Sequence, residues 1–324
     1  MSPAHASHAV SHPLFLLTLA GNHMLKKAAF RLFVALHVFS AASLAYAAPM
    51  TLKNYLDLQG PEPDQHIAYG NQASQYVELF KPEGEGPFPV AILIHGGCWT
   101  VEFGGIRQMH NIAGDLVKRG IAVWNVEYRR VDEAGGGYPG TYQDISAAMQ
   151  LLQTSAAQYK LDTARIVAIG HSAGGQLVQW AASRRKLPPS SSLYQDKVLI
   201  IPTVISLGGL ADLRREQNLI KGRCDRDIVQ LTGLPSASRP DVFADTSSAE
   251  MLPGGFTTVL INGELDTVSP PRVGEDYAKR ARDAGDKAEA TTLPGASHYD
   301  EVAATSASWK IVLAQIAKAL GIKE

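Results

Sequence analysis

The stretch that decides the fold runs Arg165-Ile166-Val167-Ala168-Ile169-Gly170-His171-Ser172-Ala173-Gly174-Gly175-Gln176-Leu177-Val178-Gln179-Trp180-Ala181-Ala182. The apolar, β-branched run through Ile169 reads as a buried strand, and the residues from Ala173 onward read as a helix. Between them, Gly170-x-Ser172-x-Gly174 has the form of a nucleophile elbow, a sharp turn from strand to helix. Side chains at the two glycine positions would collide with the neighbouring strand and helix, and the serine takes a strained backbone. The result is a hydroxyl held above a sheet edge, beside a helix N-terminus whose free N–H groups can stabilise an oxyanion.

A nucleophilic serine needs a base, an orienting acid and oxyanion donors. In the chain order Ser, Asp, His, the acid candidate is Asp266, just past the strand-like Phe256–Ile261 run. Glu264 and Asp212 are its rivals. The base candidate is His298, on the loop Gly295-Ala296-Ser297-His298 after the strand-like Ala288–Leu293. His171 adjoins the serine, but on an elbow its side chain points away from the hydroxyl, which leaves it packing or substrate-side support.

The oxyanion loop is His95-Gly96-Gly97-Cys98-Trp99, directly after the apolar run Val90–Ile94. The donors expected are the N–H groups of Gly97, Cys98 and Ala173. His95 and Gly96 then support the loop. Trp99 is either a packed core ring or a wall of the acyl pocket.

These residues carry a resemblance. From about Tyr76 to the C-terminus the chain resembles the α/β-hydrolase superfamily, with His95-Gly96-Gly97-x-Trp99, Gly170-His171-Ser172-Ala173-Gly174-Gly175, Asp266 and His298 in that superfamily's order. It is similar to hormone-sensitive-lipase-like carboxylesterases, which carry His-Gly-Gly-Gly where this chain has Cys98 in the third glycine's place. It is also similar to eukaryotic-type arylformamidases, which carry the His-Gly-Gly-x-Trp spelling seen here. The resemblance implies a serine hydrolase working without a metal or organic cofactor.

The pattern along the chain predicts strands near 76–80, 89–95, 121–127, 165–170, 198–207, 256–262 and 287–293. Helices are expected near 106–119, 140–159, 173–185, 225–231, 271–284 and 304–320. Alternation of this kind predicts an α/β fold: a mainly parallel sheet flanked by helices on both faces, with 76–80 as an antiparallel edge. Active sites in such sheets lie beyond the strands' C-terminal ends, where Ser172, Asp266 and Gly97 all fall. No segment reads as a large lid, so a fairly open cleft is expected. The loop Gly135–Gly140 and the segment 208–255, with Arg214, Arg215, Arg223 and Arg226, border the expected rim. Those arginines read as a solvated face or as receivers of an acidic substrate group.

With 30 basic and 31 acidic residues and no long run of one sign, nothing marks a nucleic-acid or membrane surface. Lys26-Lys27, the apolar stretch from Ala28 to Leu44, and Ala45-Tyr46-Ala47-Ala48 form a signal peptide pattern. Residues 1–48 are thus expected to be removed on export, leaving residues 49–324 as a single catalytic domain with no membrane anchor. Cys98 and Cys224 either pair or stay separate thiols, and no cluster has metal-ligand spacing.

The function expected is an exported serine esterase acting on small-molecule or polysaccharide-linked carboxylic esters, short-acyl or aryl. The alternatives are an arylformamidase acting on N-formylkynurenine and a non-catalytic binding module on a hydrolase scaffold.

Overall fold

The computed structural model describes residues 48–323, so the expected signal peptide, apart from its last residue, lies outside the described residues. Strand β3 (Phe88–Ile94) shows how the sheet is set, because all seven of its residues are buried. Val90, Ile92 and Ile94 face one apolar cluster, while Ala91 and Leu93 face another. A strand covered on both sides reads as a continuous apolar run rather than an alternation, and that is what the sequence shows.

Around it stand β1 (Gln65–Ala68), β2 (Tyr76–Phe80), β4 (Ala122–Val126), β5 (Leu161–His171), β6 (Thr203–Leu207), β7 (Thr257–Gly263) and β8 (Ala288–Leu293). They form one sheet in the order β1-β2-β4-β3-β5-β6-β7-β8. Strand β2 runs antiparallel to both its neighbours, and every other pairing is parallel. The helices are α1 (Leu52–Leu56), α2 (His110–Lys118), α3 (Gly140–Tyr159), α4 (Ala173–Ser183), α5 (Leu213–Cys224), α6 (Val229–Thr232), α7 (Pro271–Asp283) and α8 (Trp309–Leu320). Helices α2 and α8 cover one face through Ile112, Leu116, Val312 and Ile316. Helices α3 and α4 cover the other through Ile145, Leu152, Leu177 and Trp180. This is the doubly covered α/β sheet expected. Among the described residues, no helix is long and apolar enough to cross a membrane.

Four details differ from the sequence reading. Strand β1 lies outside β2, so β2 is not the edge; the residues of β1 are mostly exposed, with Ile67 alone of the four packing against the core. Helix α1 is only five residues long, held by Thr51 and Asn54 capping each other. A helix expected at 225–231 is instead the longer α5, followed by the single turn of α6. Asp212 caps α5 by accepting from Arg215 N–H, and Leu213, Glu216, Ile220 and Cys224 form its one buried stripe. The last helix begins at Trp309 rather than near 304, after turns over 303–308.

The C-terminal ends of β3, β5, β7 and β8 share one rim. From them emerge the 95–100 loop, Ser172, Asp266 and His298 respectively.

Candidate active site

Strand β5 ends at His171, and Ser172 turns the chain at φ 53°, ψ −117° before α4 begins at Ala173. A Cβ on Gly170 would stand 2.1 Å from the Gly174 carbonyl oxygen, and one on Gly174 would stand 2.0 Å from that of Ile94. Backbone itself fills both spaces, so only glycine fits. The positive φ at Ser172 is strain of about 1–3 kcal/mol. It is held in part by the Ser172 N–H, which donates to the Leu207 carbonyl at 2.8 Å.

His298 Nδ1 lies 2.6 Å from Asp266 Oδ2. The other carboxylate oxygen, Oδ1, accepts from the N–H groups of Val268 at 2.7 Å and Ser269 at 2.8 Å. An ionised carboxylate only accepts, so Nδ1 carries the ring proton and Nε2 is left as the basic nitrogen. Glu264 is exposed and accepts from Gly295 N–H. Asp212 caps α5 and pairs with Arg280. The acid brought to His298 is therefore Asp266 and neither rival.

Gly97, Cys98 and Trp99 take φ of 107°, 50° and 55° in succession. Among the described residues, no protein acceptor takes the N–H of Gly97, Cys98 or Ala173. Gly97 and Cys98 line the cavity of Ser172, and Ala173 directly follows the serine, so three unused N–H donors lie around it, as the expected oxyanion hole requires. His95 braces their loop, with Nε2 2.8 Å from Glu127 Oε1 and Nδ1 2.7 Å from the Gly96 carbonyl. Burial alone would raise the Glu127 carboxyl, but His95 and Arg130 together hold it down at about 2. A Cβ on Gly96 would lie 2.9 Å from His171 Nδ1 and 3.0 Å from Ser172 Cβ. Trp99 is 2% exposed inside the apolar cluster, so of its two readings it is the core ring.

Ser172, His298, Gly97 and Cys98 line one cavity of about 70 Å³. It is smaller than the open cleft expected, and among the described residues no lid domain covers it. Leu52 and Tyr55 of α1 wall it, with Tyr299, Val268 and Arg223. The loop Gly135–Gly140 turns away from this cavity: Tyr138 N–H donates to the Gln230 carbonyl, and its ring stacks under Arg239.

Cys98 and Cys224 form a disulfide, which fastens the end of α5 to the oxyanion loop. Sequence spacing left that pairing open. Three further features escaped the sequence reading. His171 Nε2 lies 2.9 Å from the His298 carbonyl oxygen. The Asp300 carboxylate accepts from Met50 N–H at 3.0 Å, and Ser297 Oγ donates to the Met50 carbonyl at 2.7 Å, which ties the first described residues to the His298 loop. Glu301, fully buried, sets Oε1 3.9 Å from His298 Nδ1 and gathers with Asp266 within 4.8 Å. Burial first, then the negative Asp266, push its carboxyl well above the ordinary range. Burial thus pushes Glu301 toward its protonated form behind the histidine. Only its place three residues after His298 hinted at this, within a Tyr-Asp-Glu run that looks like ordinary polar loop.

A family profile described as BD-FAE matches residues 77–280. A versiconal hemiacetal acetate esterase of Dothistroma septosporum is 31% identical over 113 residues, covering 34% of this chain and 33% of that protein. A putative alpha/beta hydrolase of Acanthamoeba polyphaga mimivirus is 24% identical over 241 residues, covering 70% of this chain and 66% of that protein. The chain thus spans between a third and two thirds of the length of these curated relatives. Among solved structures, a truncated carbohydrate esterase from gut microbiota superposes with a TM-score of 0.66 at 19% identity, covering 85% of this chain and all of that one. At that identity the likeness is one of fold.

Proposed function

The chain belongs to the BD-FAE family of carboxylic ester hydrolases, and from that premise we propose that it cleaves short-acyl esters, among them acetyl or aryl esters borne on plant polysaccharide, through an acyl-serine intermediate. The observation that carries this is the shared cavity. Ser172 and His298, with its ring tied to Asp266, stand around a space of about 70 Å³. A space this small suits a short acyl group. The carbohydrate esterase of similar fold supports a sugar-borne leaving group.

In this mechanism His298 Nε2 takes the Ser172 proton as Oγ bonds to the acyl carbon. The carbonyl oxygen becomes an anion received by the N–H groups of Ala173, Gly97 and Cys98. The bond from carbon to the alcohol oxygen then breaks, and His298 returns the proton to that oxygen. Water enters, gives a proton to Nε2 and displaces Ser172 from the acyl carbon, and His298 returns that proton to Oγ as the acid is released. Asp266 holds the ring tautomer and stabilises the imidazolium throughout.

Export is part of the proposal. Lys26-Lys27, the apolar stretch to Leu44 and Ala45-Tyr46-Ala47 support it, and so does the Cys98–Cys224 disulfide, because such bonds persist in oxidising compartments.

The test is a hydrolysis panel run beside Ser172→Ala: 4-nitrophenyl esters from acetate to laurate, a feruloyl ester, acetylated xylan and N-formylkynurenine. Serine-dependent cleavage that falls steeply beyond the shortest acyl groups is expected. A preference for N-formylkynurenine by orders of magnitude in kcat/KM would replace this reading with the formamidase one.

A further inference from the structure

Four arginines lie between Leu213 and Arg226, and three have carboxylate partners. Arg214 pairs with Asp241 and Glu250, Arg215 with Asp212, and Arg226 with Glu102. Among the described residues, Arg223 has no carboxylate within 4 Å, and its guanidinium makes no hydrogen bond. It is also the arginine that lines the cavity of Ser172 and His298. Its neighbour Cys224 is bonded to Cys98 on the oxyanion loop, so the disulfide fixes the backbone that carries this cation beside that loop. Tyr299, Val268, Leu52 and Phe103, which also line the cavity, bring no charge to balance it.

From this we infer that Arg223 is a specificity-determining residue that receives a carboxylate on the alcohol part of the ester. Arginine suits the task, because its planar fork matches a carboxylate with two parallel N–H donors. The placement on the alcohol side follows from exposure. The cavity is small, which suits a short acyl group beside Ser172, whereas Arg223 lines it and is itself exposed, which puts the more solvent-facing alcohol part on its side. The substrate class is thus a short-acyl ester of an acidic alcohol, such as an acidic sugar or a hydroxybenzoate. This inference rests on the esterase reading above.

The experiment compares matched pairs of esters. On the alcohol side, 4-acetoxybenzoate is set against its methyl ester. On the acyl side, mono-4-nitrophenyl succinate is set against 4-nitrophenyl methyl succinate. The anionic-to-neutral ratio of kcat/KM is measured for the native enzyme, Arg223→Gln and Arg223→Lys, so intrinsic differences in ester reactivity cancel between enzymes. The alcohol-side ratio should drop about fivefold or more in Arg223→Gln and be partly kept in Arg223→Lys. The native ratio should also shrink as sodium chloride is added, since an exposed charge is screened. An alcohol-side ratio that is the same in native enzyme and Arg223→Gln, a native ratio indifferent to salt, or a preference confined to the acyl-side pair would overturn the inference. Hydrolysis of the neutral methyl ester that disappears in Ser172→Ala establishes the esterase reading whatever Arg223 does. Its absence in the native enzyme would fault that reading instead.

Discussion

The carbonyl oxygen of His298 accepts a hydrogen bond from Nε2 of His171 at 2.9 Å. A carbonyl cannot donate, so the ring proton of His171 sits on Nε2 and Nδ1 is bare; burial, with the nearby His298, also drives its pKa well below the ordinary value and keeps the ring neutral. The residue before the nucleophile thus holds the backbone of the base. His171→Ala should reduce kcat by up to ~10²-fold, because a displacement of about 1 Å at a catalytic group has that scale of effect. Steady-state kinetics on 4-nitrophenyl acetate beside a melting curve check it, and unaltered kcat in a folded variant would contradict the role.

Ser172→Ala should lower turnover by roughly 10⁴-fold or more. Ser172→Gly should be as inactive yet more stable than Ser172→Ala. Alanine inherits the left-handed backbone at φ 53°, which glycine adopts without strain. Calorimetric melting of the two inactive variants checks this, and an alanine variant that melts higher would show that the elbow is not strained.

Asp266→Asn should lose about 10⁴-fold in kcat, because His298 Nδ1 then loses its acceptor and the ring its tautomer. Glu264→Gln should stay near native rates, since that side chain is committed to Gly295 at the surface. A severe defect in Glu264→Gln with a mild one in Asp266→Asn would reverse the assignment.

Glu301 predicts a pH dependence of stability. An unfolded glutamate ionises near ~4.3, whereas burial and then Asp266 raise the folded value. The folded state therefore keeps its proton longer than the unfolded one. Its contribution is complete below the unfolded value and is lost as pH rises toward the folded one. Glu301→Gln keeps the shape and removes the titration. Its melting temperature relative to native should improve between about pH 5 and about pH 8. A difference that does not vary with pH would mean Glu301 is ionised in the fold.

The Cys98–Cys224 bridge closes a loop across a sequence separation of 126. Chain-entropy reasoning assigns such a closure about 4–5 kcal/mol. A Cys98→Ser, Cys224→Ser double variant should lose a comparable part of its unfolding free energy by urea titration. It should also lose kcat, because Cys98 belongs to the oxyanion loop. Equal stability with native protein would show that the bridge constrains nothing.

Much of this was legible in the sequence because the inner strands are covered on both sides. β3 and the second half of β5 stand out as apolar runs, and each leads into crowded glycines, Gly96 after β3 and Gly170 and Gly174 on either side of Ser172. Elements stabilised by backbone pairing or a single buried stripe did not stand out. β1 is mostly exposed, and α5 hides four buried side chains among charges. Glu301 was invisible for another reason: an acidic residue in a loop gives no sign of burial until β7, β8 and Gly208 close around it, with Gly208 leaving a Cβ only 2.8 Å from its Oε1.

The hydrogen bonds from Met50 to Ser297 and Asp300 have a practical reach. They latch the stretch just before α1 to the loop of His298, 247 and 250 positions away. An insertion abutting Met50 would therefore disturb catalysis, while the same insertion after α8 would spare it. Trimming back to the first long strand, a habitual way to tidy a protein for crystallisation, would remove a wall of the acyl pocket along with the latch.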